Sequence, residues 1–305
     1  MRYGYSPKMQ FSPVLFVLNP VSGGSRKRIL QQQLRRWGQK TSLRYTTWKT
    51  TGKNDVQKLQ TVLKQKKPAA VIAIGGDGTV NLVAQALLRS KKKIPIGILP
   101  AGSANALAGE LGIPLQTQPA LRVLEEKNTT PFDVLEVNGA PCLHLADIGA
   151  NAEIIRQFHG QSLRGWLGYL WHFWKQYFQH RAKKFEIQMG QETHTTRAHM
   201  VIIANGSQYG TGAQINPHGE FHDGKFEVVE VRPFSRWKFP LYFFQALRGG
   251  LHRRSFFSVQ SGEKVEIQNR ASAPLQVDGE PQGRPEKISV EIHKRVLQFL
   301  VPKKK

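Results

Sequence analysis

The chain has 305 residues, 40% hydrophobic and 21% charged, a globular composition with length for two modest domains. Its 44 Lys and Arg against 21 Asp and Glu give a formal charge of +23, which favours anionic partners: nucleic acid, anionic membrane or phosphorylated ligands. No segment approaches the roughly 20 apolar residues of a membrane span. Cys142 is the sole cysteine, so no internal disulfide can form and a reducing compartment fits. Residues 11–18 are too short for a secretory signal and are interrupted by Pro13. A cytoplasmic protein is expected. Zinc-finger spacing and RNA-recognition aromatics are missing, and no nucleic acid partner is expected.

Taken in order, the first part alternates strands and helices. A strand at 14–18 is followed by the polar turn 19–24 and a helix at 26–37. A strand at 43–47 precedes a helix at 55–66 with Val56, Leu59 and Leu63 on one face. Then come an apolar strand at 69–74, the turn Gly75-Gly76-Asp77-Gly78-Thr79, and a helix at 79–89. A strand at 94–99 leads through Pro100-Ala101-Gly102-Ser103 into a short helix at 104–111. This βαβα order predicts a doubly wound sheet with its ligand at the carboxyl ends of the strands.

From about Asp133 strand-like runs dominate: 134–137, 142–148, 185–189, 198–204, 226–231, 264–268, 275–277 and 288–292. Asn138-Gly139, Asn205-Gly206 and Asp223-Gly224 punctuate them as turns. The expected division is an α/β domain at 1–133 and a β-rich domain at 134–294. Residues 296–301 are a candidate final strand returning to the first domain, so that 295–305 would complete it. Within the second domain, 163–178 and 237–254 mix Trp, Tyr and Phe with Arg and Lys. Such stretches suit a membrane interface or a lipid-lined groove, and equally a helix packed on a sheet.

The glycine turn at 75–79 carries the most chemistry. A buried strand that turns on glycines into a helix lets phosphate approach backbone N–H groups without side-chain obstruction. The carboxylate of Asp77 would repel that phosphate unless a divalent cation lay between them. The residues therefore read as a metal–nucleotide site, or as a tight strand-to-helix turn with a capping acid. Late in the chain, Val277-Asp278-Gly279-Glu280-Pro281 places two carboxylates on one turn. Alone, Asp-Gly is only a hairpin turn.

Taken together, Asn19-Pro20-Val21-Ser22-Gly23, Gly75-Gly76-Asp77-Gly78-Thr79 with Asn81, and the run from Pro100 to Ala108 resemble the catalytic domain shared by diacylglycerol, sphingosine and ceramide kinases. Asn205-Gly206, Tyr209-Gly210-Thr211-Gly212, Pro217, Asp223-Gly224 and Asp278-Gly279-Glu280 continue that resemblance in the same order along nearly the whole chain. It implies a soluble bacterial-type lipid kinase, an α/β nucleotide domain with a β-sandwich-like second domain, and an active site in the cleft. It further implies ATP as phosphate donor, Mg2+, a lipid acceptor and peripheral association with an anionic membrane surface. The second domain would be the lipid-substrate domain.

The resemblance also assigns residues. Asn19 and Ser22 would lie beside the nucleotide. Gly75, Gly76, Gly78 and Thr79 would hold its phosphates, with Ser103 and Asn105 completing the pocket. Thr50 or Thr51 would touch phosphate. Asp77 and Asp133 would serve magnesium, Asp133 through water. Glu280 would be the general base, with Asp278 beside it. Two departures stand out. Ala106 occupies a position that is acidic in many members, and His222-Asp223-Gly224 replaces paired acids linked to a structural cation. The shared GGDGT run also fits NAD kinases, but the Asn-Glu dipeptide usual in those enzymes occurs nowhere in the chain. A third reading is a non-catalytic protein that binds anionic surfaces.

Overall fold

The computed structural model describes residues 12–20, 27–41, 44–158, 181–209, 213–214, 216, 219–238, 241–242, 245, 248 and 255–303. The chain folds into two compact units, 1–132 with 295–305, and 133–294.

The first unit contains β1 (Val14–Leu18), α1 (Lys27–Lys40), β2 (Tyr45–Lys49), α2 (Asp55–Lys66), β3 (Ala70–Gly75), α3 (Asp77–Arg89), β4 (Ile96–Pro100), α4 (Ala106–Glu110) and α5 (Thr117–Glu126). The strand β5 (Thr129–Val137) leaves it for the second unit. Its strands lie in the order β2-β1-β3-β4 and are all parallel. Each residue of β1 is buried, and each of β3, as expected for strands covered by helices on both faces. The order reverses between β1 and β3, and in such sheets ligands bind beyond the carboxyl ends at that switch point. The α5 helix is an addition to the expected elements, although Ala120, Leu121, Val123 and Leu124 make a buried stripe. It packs near α1, where the Trp37 indole donates to Glu125 Oε1 at 2.6 Å.

The second unit continues with β6 (Ala140–Cys142), β7 (Leu145–Gly149), α6 (Ala150–Phe158), β8 (Lys183–Met189), β9 (Glu192–Ala198), β10 (Met200–Ala204), β11 (Gln208–Tyr209), β12 (Ala213–Gln214) and β13 (Phe226–Val231). It closes with β14 (Phe257–Gly262), β15 (Lys264–Gln268), β16 (Leu275–Val277), β17 (Glu280–Pro281) and β18 (Lys287–Leu300). One sheet runs β14-β13-β10-β7-β16-β17, and the other layer includes β9-β8-β15 and the first part of β18. Phe185, Ile187, Val265 and Ile267 from one layer meet Ile148, Val201, Ile203 and Phe226 from the other in a common core. That makes the unit a sandwich, with each inner face supplied by alternate residues.

Two expected strands each split. The run 142–148 breaks at Leu143 and His144, and the run 198–204 breaks at His199. The helix α6 and the strands β9 and β14 are further additions to the expected elements. The runs 288–292 and 296–301 form one strand, β18, whose end returns to the first unit with Phe299 beside Ile96 of β4. There the Phe299 ring packs on Phe132 at 4.7 Å between centroids. The aromatic stretch 163–178 lies outside the described residues. No helix among the described residues is long and apolar enough to cross a membrane.

Candidate active site

In the first unit the start of the first polar turn and the second and third turns lie at the strand ends. The Asn19 N–H donates to the Ile74 carbonyl at 3.1 Å, and the Thr50 N–H to the Leu18 carbonyl at 3.0 Å. The Ala101 N–H donates to the Gly75 carbonyl at 2.8 Å, bringing the third turn against the second. Glycine is required at this contact. A Cβ on Gly102 would run into the Gly76 Cα, and one on Gly75 into the Thr79 Oγ1, both well inside van der Waals distance. By contrast, a Cβ on Gly78 would meet nothing within 4 Å. Thr79 is buried, and Ser103 is exposed. Ser22 lies outside the described residues.

Asp77 opens α3 and spends both oxygens on the neighbouring turn. Oδ2 accepts the Ala106 N–H and Oδ1 the Leu107 N–H, each at 3.1 Å. Those N–H groups begin α4, so a negative charge satisfies donors that the helix cannot. Asn105 has φ 54° and closes its own loop, with Oδ1 accepting from Gly102 N–H and Nδ2 donating to the Gly102 carbonyl, both at 2.9 Å. Asn105 therefore shapes the third turn. Thr51 is similarly engaged, for its hydroxyl donates to Asp55 at 2.7 Å and accepts from Lys58 Nζ at 2.8 Å. Burial pushes the Asp55 carboxyl up, but the Thr51 hydroxyl, the N–H groups of Thr51 and Gly52 and the Lys58 charge outweigh it and hold the group below its ordinary range. No hydrogen bond engages the Thr50 side chain among the described residues.

In the second unit, Asp133 is fully buried. Its Oδ2 accepts the Gly224 N–H at 2.7 Å, and its N–H donates to the Phe221 carbonyl at 2.6 Å. Asn205 Nδ2 bridges the carbonyls of Asp133 and Leu143 at 2.9 and 2.8 Å. These bonds join the Asn205-Gly206 and Asp223-Gly224 turns to the start of the unit. The buried Asn205 Oδ1 has no hydrogen-bond partner, a site where a water with polar neighbours fits.

The turn at 277–280 links β16 to β17 by two residues, with Val277 opposite Glu280. Asp278 has φ 48° and Gly279 φ 85°, the positive values that a type I′ hairpin demands at both central positions. Asp278 turns inward, accepting the N–H groups of Leu143, His144 and Leu145 at 2.7, 2.9 and 3.1 Å. Asp278 thereby fixes the backbone at residues 143–145. Burial raises its carboxyl above the ordinary range, and the three N–H donors offset part of that rise. Cys142 donates its thiol to Asp278 Oδ1 at 3.5 Å, and burial, followed by the Asp278 charge, pushes that thiol far up. Glu280 is exposed.

A buried network behind this turn was missed by sequence reasoning. Gln276 accepts the Gly279 N–H through Oε1 at 2.7 Å and donates through Nε2 to Asp147 Oδ2 at 2.6 Å. Asn151 of α6 donates to the same Asp147 oxygen at 2.6 Å. Glu153, further along α6, accepts Arg284 at 2.8 Å from the loop after β17. A carboxylate inside the apolar strand Leu145–Gly149 was the available signal, since a buried acid needs donors.

The residues present suit a magnesium ion held largely by water and phosphates. Among the described residues no group of three or more His, Cys, Asp or Glu could hold a metal. Magnesium commonly takes only one or two protein carboxylates. In the first unit Asp77 retains lone pairs beyond its two N–H bonds, enough for one such contact.

Comparison with known proteins agrees with these features. Residues 13–137 match the diacylglycerol kinase catalytic domain, and residues 146–301 match the YegS C-terminal NAD kinase beta sandwich-like domain. The chain is 30% identical over 224 residues to a protein of Chromohalobacter salexigens named "Probable lipid kinase YegS-like", covering 70% of each. It is 32% identical over 230 residues to a protein of the same name from Serratia proteamaculans, covering 71% of this chain and 72% of the other. A solved diacylglycerol kinase structure from Bacillus anthracis superposes with a TM-score of 0.75 at 17% identity, over 97% of this chain and 99% of that one, a likeness of fold. The chain thus belongs to the YegS-like lipid kinases, enzymes that join a diacylglycerol kinase catalytic domain to an NAD kinase-like β-sandwich.

Proposed function

We propose that this kinase transfers the γ-phosphate of ATP to the hydroxyl of a membrane lipid: diacylglycerol, a sphingoid base or ceramide. The observation that carries the reading is the hairpin at 277–280, which ties Asp278 to backbone N–H groups and exposes Glu280 beside it. An alcohol is barely ionised at neutral pH, so a positioned carboxylate that takes its proton speeds attack on phosphorus. Glu280 accepts that proton, the oxygen bonds to the γ-phosphorus, and the bond to ADP breaks.

The first unit handles the donor. Backbone N–H groups at Gly75, Gly76 and Gly78 and the hydroxyl of Thr79 face the phosphates, and Asn19, Ser22, Ser103 and Asn105 border the nucleotide. Of the two threonines, Thr50 is preferred for phosphate because Thr51 is engaged with Asp55 and Lys58. Asp77 would serve Mg2+, and Asp133 would do so through water. When bound, that ion offsets phosphate charge and orients the leaving group. The high positive charge supports a peripheral location on anionic membrane of the cytoplasmic face.

The decisive experiment is transfer of radiolabelled γ-phosphate from ATP with magnesium onto detergent-dispersed lipids and, in parallel, onto NAD. A labelled diacylglycerol, sphingoid base or ceramide is the expected result and names the acceptor class. Label on NAD alone would overturn the reading in favour of a soluble substrate.

A further inference from the structure

The six-stranded sheet of the second unit has a second apolar face, opposite the sandwich core. Val229 and Val231 of β13 lie on it, together with Phe257 of β14. Val259 stands directly across from Val229, as Phe257 does from Val231, so Val259 shares that face. β14 is the edge strand, and Val259 is 36% exposed. The rings of Phe234, Tyr242 and Phe256 stack beside this face, with centroids 5.1 Å apart for Phe234–Tyr242 and 4.5 Å for Tyr242–Phe256. The connection from β13 to β14 is thereby pinned at both Phe234 and Tyr242. Between the pins, Trp237 is 83% exposed and Leu241 53%. Among the described residues only Tyr45 and Leu115 are other large hydrophobics as open to solvent as these three.

Composition of the same connection indicates what covers it. Residues 232–256 contain Arg232, Arg236, Lys238, Arg248, Arg253 and Arg254, and no Asp or Glu. Lys238 and Arg248 are exposed. A protein partner would accept exposed Trp and Arg too, but a 25-residue segment without one acid matches a polyanionic surface better. Trp prefers the headgroup level of a bilayer, where its ring is half wet, and each nearby Lys or Arg is attracted to an anionic leaflet.

We propose that the described part of the β13–β14 connection, at Trp237, Lys238, Leu241 and Arg248, is the bilayer-docking surface of this kinase. Trp237 and Leu241 enter the interfacial layer of an anionic membrane while the exposed Lys238 and Arg248 meet lipid phosphates. The inference rests on the reading that the acceptor is a membrane lipid.

The test measures binding of the full-length protein to phosphatidylcholine vesicles with and without phosphatidylglycerol, for wild type, W237A/L241A and K238E/R248E. The apolar pair is expected to weaken binding to the anionic vesicles about tenfold or more, and to do so at high salt as well as low. The charge-reversal pair is expected to weaken it mainly at low salt. Quenching of Trp fluorescence by brominated acyl chains is expected to fall in W237F, which retains an aromatic ring. Unchanged vesicle binding by W237A/L241A, or unchanged quenching in W237F, would overturn the proposal. So would a sedimenting dimer that W237A/L241A converts to monomer while vesicle binding persists, because a second copy would then be the occupant. Phosphate transfer to a short-chain acceptor dissolved without vesicles separates the two readings. Patch-dependent vesicle binding without transfer to any lipid would sink the kinase substrate assignment and leave docking standing, and the converse would sink docking alone.

Discussion

In the first unit Asp77 accepts the N–H groups of Ala106 and Leu107; in the second Asp278 accepts those of Leu143, His144 and Leu145. Each acid ties its own turn to a neighbouring segment. What the two turns then present differs. The first leaves glycine backbone at a strand-to-helix turn beside Gly102, a surface of N–H donors suited to phosphate. The second exposes Glu280, the proton acceptor of the proposed function. The acid most prominent in each motif thus builds the turn, and in the proposed function the chemistry would fall to what stands next to it.

Substitutions can break that comparison. Glu280→Gln preserves shape and removes the proton acceptor, so kcat is expected to fall about 10³-fold with ATP affinity unchanged. Steady-state kinetics with ATP-binding calorimetry would check this, and turnover near wild type would remove Glu280 as the base. In the first unit the largest effect belongs to glycine. Gly102→Ala drives a methyl into the Gly76 backbone, which cannot yield as a side chain would, and a loss of about 3 kcal/mol in unfolding free energy is expected. Gly78→Ala, with open space around its Cβ, is expected to cost less than about 0.5 kcal/mol. Urea denaturation of the pair measures the contrast, and equal losses would mean that the two turns do not depend on close backbone approach.

Asp278→Asn sharpens the second half of the comparison. The amide can present one oxygen to the three N–H donors but turns an NH2 toward others. The turn should shift and kcat fall roughly tenfold, as expected when a supporting contact rather than a reacting group is altered. A pH–rate profile separates this role from catalysis. A positioning residue lowers the plateau and leaves the shape of the profile in place, whereas a changed shape would make Asp278 a proton acceptor.

Much of the first unit was legible because its strands are unbroken apolar runs and its turns are marked by Gly, Pro and Asn. The strand at 14–18 and the helix at 55–66 have the expected ends. The second unit was read less completely where tertiary partners decide the backbone. Leu143 and His144 belong to an apolar run, but they leave the strand because Asp278, more than 130 residues away, collects their N–H groups. Local pattern cannot announce such a break. Asp147, Asn151 and Gln276 were passed over for the same reason, since each is an ordinary polar residue until folding joins them behind Gly279. The glycine contact between turns two and three was legible as composition, but only the fold shows that Gly102 meets Gly76 and that Gly78 meets nothing.

Acid titration should separate the turn-building carboxylates by sign. Asp55 has a folded-state pKa below its ordinary 3.8, so folding favours its ionised form. Its contribution is complete above that value and is lost as pH falls through the lower folded value. Asp278 has a folded-state pKa above 3.8, so folding favours its protonated form. Its contribution is greatest below 3.8 and declines as pH rises through the folded value. Asp55→Ala, which removes an acceptor for Thr51 and Gly52, is therefore expected to lose about 2 kcal/mol at neutral pH and progressively less in acid. The difference between Asp278→Asn and wild type should move the other way, growing as pH falls because protonation relieves the buried charge only in wild type. Urea midpoints taken from pH 3 to pH 7 would show the two difference curves diverging. Parallel curves would mean that the two acids sit in equivalent environments, contrary to the hydrogen bonds around them.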